Sequence, residues 1–404
     1  MTLDVEAVRA AYPALSDGAA YLDGAAGTQV PRTVIDAIAA AYASGLGNVG
    51  GAFPASARSA AIVTACRQAV ADLVGGTPEG VVLGPNMTTI TYKMALALGA
   101  TWEPGDEIVV SRLDHDANVR PWVQAAERAE VTVRWAEVDA ATGTLPVEQY
   151  GELVGERTRL VAVTAASNVI GTRPEVRAIA DRAHAVGALV YVDGVHWTPH
   201  GPVDVGELGA DFYVTSAYKW SGPHIGCLVA DPTLLARVHP PKLVPSPDEV
   251  PWRFEWGTPP FADFAGVVAA VDHLASLDPE AAAGGATSRR ERLLASMASV
   301  EAHESALFAS LISALDSMEH VTPYGPASRR APTAFFNVDG WPPDEVAAHL
   351  ARRGVNVWSG DNYAYELVTA LGLRERGGAV RAGVVHYNDE ADVARLVDAV
   401  AELA

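Results

Sequence analysis

Short apolar runs alternate with stretches of helical period along most of the chain, and this alternation predicts an α/β protein. The most informative stretch spans residues 187–226. A first run, residues 188–192, is apolar and ends on Asp193; a second, residues 211–218, is rich in β-branched and aromatic residues and ends on Lys219. Both are short and bounded by glycine, so both predict buried strands. Residues 81–83, 106–110, 131–135 and 160–163 predict further strands. Helical spacing predicts helices over 31 to about 44, 57–74, about 88–97, 147–154 and 174–186. The last of these, stopped by Gly187, closes a βαβ unit into the Asp193 strand and implies parallel strands.

A proline-rich stretch, residues 240–251, follows. A helix over about 287–318 then leads into a smaller α/β region, with strands at 334–338, 355–358 and 380–385 and helices at 343–352 and 390–401. The pattern predicts an N-terminal arm (1–20), a large domain (21–285) and a small C-terminal domain (286–404).

An acid and an amine are thus delivered at strand ends, where open α/β sheets place their ligands. Half-burying a lysine disfavours its charged form and lowers its pKa. A Schiff-base lysine needs that lowered pKa, and an acid facing a pyridinium nitrogen is its usual companion.

Composition narrows the field. With 404 residues, 49% of them hydrophobic, the chain can bury a sizeable core. A formal net charge of −20 argues against nucleic acid or an anionic membrane as partner. Cys66 and Cys227 are the only cysteines, too few for a disulfide framework or a cysteine-ligated zinc site. The opening decapeptide has neither a basic nor an apolar signal region, so a cytoplasmic location is expected. No unbroken apolar run could span a bilayer.

Several nucleotide, metal and hydrolase motifs are set aside. Residues 45–50 satisfy G-x-G-x-x-G, but they follow a predicted helix rather than a strand. His196 and His200 have zinc-helix spacing, but Pro199 lies between them and the glutamate is missing, so no metal is expected. Neither a Walker A loop nor a G-x-S-x-G elbow occurs.

The run Asp193-Gly-Val-His196, then Ser216-Ala-Tyr-Lys219 and Gly-Pro-His-Ile-Gly, resembles class V aminotransferases of pyridoxal phosphate fold type I. Within that class it is most similar to the cysteine desulfurase group, from Tyr21 to the last helix. The resemblance implies an aspartate aminotransferase-like fold, with a mostly parallel central sheet and a smaller C-terminal α/β domain. It implies pyridoxal 5'-phosphate joined to Lys219, with Asp193 at the ring nitrogen and His115 stacked on the ring.

Further contacts follow from the same resemblance. The turn before the helix at 88 would hold the phosphate through the backbone of Asn86 and Met87 and the hydroxyl of Thr88, a role suited to a helix N-terminus. Asn168 and His196 would face the phenolic oxygen, and Ser216 and Tyr218 would flank the lysine. Thr258 would reach the phosphate of a second subunit, making an obligate homodimer with shared active sites. Arg381 would grip the carboxylate of an amino acid substrate with its planar fork.

Three departures matter. The His-Arg pair usual in the loop at residues 48–52 is absent, and Tyr218 stands where desulfurases have histidine. The loop at 358–365, Trp-Ser-Gly-Asp-Asn-Tyr-Ala-Tyr, contains no cysteine to accept sulfur. The expectation is therefore chemistry at Cα without a persulfide, leaning by analogy towards β-elimination as a C–S lyase. A class V aminotransferase, an amino-acid epimerase and a non-catalytic cofactor-binding partner remain as alternatives.

Overall fold

A computed structural model describes residues 3–279 and 288–404. The strands are β1 (Ala20–Tyr21), β2 (Val81–Gly84), β3 (Glu107–Ser111), β4 (Thr132–Ala136), β5 (Thr158–Thr164), β6 (Leu189–Asp193), β7 (Phe212–Ser216) and β8 (Gly226–Ala230). The C-terminal region adds β9 (Val321–Pro323), β10 (Thr333–Val338), β11 (Val355–Asn356), β12 (Trp358–Gly360) and β13 (Ala379–Gly383).

The large sheet has seven strands in the order β2-β8-β7-β6-β5-β3-β4. Only β8 runs against its neighbours; pairing from β7 through β6, β5 and β3 to β4 is parallel. The sequence explains why these strands lack polar alternation. Val109, Val161, Val163, Val190 and Val192 enter one core. Their chain neighbours Ile108, Val110, Leu160, Ala162 and Tyr191 enter another on the opposite face. A sheet covered on both faces needs apolar residues at consecutive positions.

The small sheet, β12-β13-β10-β9, is antiparallel throughout. The helix Arg289–Asp316, started by a capping box between Ser288 and Glu291, ties the two regions together. Its Leu293, Met297 and Val300 pack into the large core, and its Leu307, Leu311 and Leu315 into the small one.

The structure redraws some expected bounds. The segment from Tyr21, expected to open the large domain, pairs through β1 with β11 in parallel, and Asp23 bridges Gly383. Ala20 and Leu22 lie in the core of the small domain. The expected boundary at 285/286 lies outside the described residues. The run at 211–218 is strand only to Ser216, after which Ala217–Lys219 tightens into a 3₁₀ turn. The helix Phe261–Leu274, for which no expectation was drawn, packs Phe264, Val267 and Val271 into the large core. Among the described residues no helix is long and apolar enough to cross a membrane.

One close approach fixes the rim of the large sheet. A Cβ on Gly226, the first residue of β8, would sit 2.7 Å from the Cα of Asn86. Asn86 is the N-cap of the helix Met87–Gly99, its Oδ1 accepting the Thr89 N–H at 2.9 Å. Gly226→Ala should therefore push the helix start away from the sheet. The expected cost is about 1–3 kcal/mol in urea unfolding, with weakened cofactor retention on gel filtration.

Candidate active site

The carboxyl ends of the parallel strands converge on one cleft, as expected of open α/β sheets. Asp193 ends β6, and Lys219 closes the turn after β7. Asn168 follows β5, His115 follows β3, and Met87 and Thr88 begin the helix after β2. Arg381 comes from β13, so the small domain supplies one wall. The narrow inner part is lined by Met87, Thr88, His115, Asn168, Asp193, His196, Tyr218 and Lys219, with Thr164, Ala166 and Val195. It opens into a wider cleft of about 630 Å³ that also reaches Tyr92, Arg120, Trp358, Tyr363 and Arg381.

Hydrogen bonds hold each group in place. The Lys219 amine donates to the Ala25 carbonyl at 2.5 Å. Asp193 accepts the Val195 N–H at 2.9 Å through one oxygen. His115 Nδ1 accepts the Ala117 N–H at 3.0 Å. Below it, the buried Asp114 accepts from Ser111 and from Asn118 Nδ2 (2.7 Å), and Trp122 Nε1 donates to Asn118 Oδ1 (3.1 Å). That chain of bonds anchors the histidine's loop. His196 Nε2 pairs with Thr333 Oγ1 at 2.8 Å, and Arg381 donates to the Asn168 carbonyl at 3.0 Å.

Burial governs the charges. It pushes Lys219 down to about 7, helped by the like charge of Arg381 and opposed by Asp193. It raises Asp193 to about 6, against the pull of the Val195 N–H and of Lys219. His115 is pushed down to about 3 by burial and by the nearby cations Lys219 and Arg381, so its ring is neutral. Burial lowers Arg381 to about 10, and it raises Asp114 to about 8.

Not every expected residue reaches the cleft. The Asn86 side chain caps its helix, and the Met87 N–H is already given to Ser216 Oγ at 3.0 Å. Asn86 and Ser216 thus stand one layer behind the cleft lining. Thr258 is exposed and lies outside it, so any role there requires a second copy of the chain. Sequence reasoning missed Ala25, Tyr92, Asp116 and Arg120, whose proximity arises only from packing. It noted residues 358–365 solely for the missing cysteine, although their run of aromatic and turn residues was visible.

The fold and cleft define an enzyme of fold type I. The family model for aminotransferase class-V matches residues 20–396, and the chain belongs to that family. Over 404 residues it is 39% identical to an uncharacterised Mycobacterium tuberculosis protein, covering 100% of each chain. It is 31% identical to a cysteine desulfurase of Haloferax volcanii, covering 98% of this chain and 96% of that one. The cysteine desulfurase CsdA of Escherichia coli superposes with a TM-score of 0.86 at 29% identity, covering 100% of this chain and 99% of that one. The protein is a pyridoxal 5'-phosphate-dependent enzyme.

The residues fit that cofactor. A half-buried amine, a buried carboxylate and a neutral imidazole face one narrow cleft beside a helix N-terminus. Among the described residues Asn168 Oδ1 is buried without a partner, a polar atom that a polar ligand would satisfy.

The lowered pKa of Lys219 has a direct chemical test. Its amine loses the proton as pH rises through about 7 rather than through the ordinary lysine value of 10.5. In cofactor-free protein, pulse acetylation of Lys219 should therefore rise with pH to a midpoint near 7. A free lysine peptide acetylated alongside should still be climbing at pH 10. Peptide mapping checks this, and a midpoint above 9 would contradict the electrostatics described.

Proposed function

We propose that this protein is a lyase acting at Cα of an amino acid and expelling a leaving group from Cβ, with no persulfide step. The observation that carries the reading is the absence of a thiol from a cleft otherwise equipped for chemistry at Cα. Cys66 and Cys227 are fully buried in the helix Pro54–Val74 and in β8, with burial pushing both thiols up and away from the reactive thiolate. The loop at 358–365 presents Tyr363 instead.

The cofactor supplies an electron sink that stabilises negative charge at Cα. Lys219 would hold it covalently and, once released by the substrate amine, take the proton from Cα. An amine with a pKa near 7 is matched to that task at neutral pH. Asp193, ionised above about 6, would hold a proton on the ring nitrogen. Neutral His115 would lie flat on the ring without adding a competing positive charge. Thr88, at the start of its helix, would receive the phosphate. Asn168 and His196 would face the phenolic oxygen, and Arg381 would bind the substrate carboxylate. The exposed Thr258, together with the family resemblance, supports a homodimer in which that threonine completes the partner's site. The acidic composition is in keeping with a cytoplasmic enzyme.

The decisive experiment reduces the purified holoenzyme with borohydride and maps the modified peptide. The visible band should be bleached and the cofactor's mass should appear on Lys219. Incubation with cysteine conjugates should then yield pyruvate, ammonia and the free thiol in equal amounts. An oxo acid with nitrogen retained on the cofactor would indicate transamination, and inversion at Cα would indicate epimerisation; either defeats the lyase reading.

A second test addresses the thiols. The Cys66→Ala, Cys227→Ala double variant should lose about 1–3 kcal/mol of stability from its buried sites, yet keep turnover within about twofold at 25 °C. Loss of turnover in protein that stays folded and cofactor-loaded would restore a sulfur relay.

A further inference from the structure

The outer cleft carries two large aromatic rings that the chemistry at Cα does not use. Trp358 on β12 pairs directly with Arg381 on β13 in the antiparallel small sheet, and the two side chains therefore share a face. Its ring is 53% exposed. Tyr363 is 74% exposed and stacks on His115, with ring centroids 5.5 Å apart and planes tilted by 20°. Tyr92, also partly exposed, lines the same space.

Tyr363 is set there by a backbone that does not come cheaply. Asn362 and Tyr363 both adopt left-handed conformations, with φ of 51° and 60°. A bulky residue at positive φ costs of order 1–3 kcal/mol and persists only where its surroundings hold it. Here the Asp116 N–H donates to the Tyr363 carbonyl at 2.7 Å, and Asn168 Nδ2 to the Asn362 carbonyl at 2.9 Å. The Tyr363 N–H donates to Asp361 Oδ1 at 3.0 Å. Two of these bonds come from loops at the ends of the large sheet's strands, so the backbone that carries the ring is fixed relative to the inner cleft.

From this geometry we propose that the substrates are amino acids whose side chain carries a large planar group, bound against the rings of Tyr363 and Trp358. The proposal rests on the reading of the cleft as a site of amino-acid chemistry. A carboxylate at Arg381 places the substrate beside Trp358, and an α-amine at Lys219 directs the side chain towards the wide mouth. That mouth is bounded by the rings of Tyr92, Trp358 and Tyr363. Besides Lys219 and Arg381, the cation lining that cleft among the described residues is Arg120, which is already paired with Asp116 at 2.8 Å and with Glu366 and so does not favour an acidic side chain. Stacking on exposed rings supplies the discrimination, and Tyr363 is its determinant.

The test uses two probes that differ only in the group on sulfur, S-benzyl-L-cysteine and S-methyl-L-cysteine. Each is titrated against the visible absorption of the holoenzyme by stopped flow. The benzyl compound should half-saturate at a concentration about tenfold lower, the equivalent of one good aromatic contact. Tyr363→Ala should reduce that ratio to less than about threefold, whereas Tyr363→Phe should retain most of it. Retention of the cofactor band and of borohydride labelling at Lys219 verifies that each variant is folded and loaded. Equal affinities in the unaltered enzyme, or a preference that survives Tyr363→Ala, overturn the proposal and leave the assignment of the cleft standing. Absence of the band and of any labelling at Lys219 overturns both.

Discussion

A half-buried primary amine in the fields of a carboxylate and a guanidinium is the constraint on which the rest of the structure depends. Lys219 cannot keep a full charge there, because burial and Arg381 both oppose it and only Asp193 supports it. Each of the three comes from a different element: Asp193 from β6, Lys219 from the turn after β7, Arg381 from β13. The balance therefore exists only when the small domain has closed on the large sheet. The helix Arg289–Asp316, shared between the two cores, and the pairing of residues 20–23 with the small domain make that closure part of folding itself. A loosened small domain would withdraw the Arg381 charge that opposes the protonated amine.

The parts of this arrangement that were legible in the sequence share one property: they are written in consecutive residues. Buried parallel strands appear as unbroken apolar runs, so Asp193 at a strand end and Lys219 just past one are legible in the sequence. The final helix at 390–401 and the helix at 343–352 match their observed bounds, because a strong 3.6-residue period leaves little freedom. The family resemblance then assigned roles that periodicity could not.

What escaped the sequence depends on contacts between distant segments. Nothing local in residues 20–23 indicates a partner more than three hundred residues away. The Met87 N–H looks available at a helix start until Ser216, at the end of β7, is seen to take it. Strand propensity in residues 211–218 gives no hint that the chain must tighten after Ser216, yet a 3₁₀ turn there is what brings Lys219 round to Ala25. Asp114 shows the same limit. In the sequence it is one more acidic residue beside His115, but in the fold it anchors the His115 loop through Ser111 and Asn118.

The loop at 358–365 couples the two sheets at the cleft. Its backbone is bonded from Asp116, beside His115, and from Asn168, whose carbonyl in turn accepts from Arg381. The loop, the ring-stacking histidine and the carboxylate-binding arginine thus form one hydrogen-bonded unit. A loop that ferries sulfur must carry a thiol and travel. This one carries an aromatic ring, and its strained residues are compensated only while those bonds remain intact. Moving it would expose the left-handed conformations to relaxation and strip Asn168 of its contact at the same time. An aromatic wall on an anchored backbone is suited to selecting a substrate by shape. That supports a reaction completed at Cα and Cβ within the cleft, with no product handed from one protein atom to another.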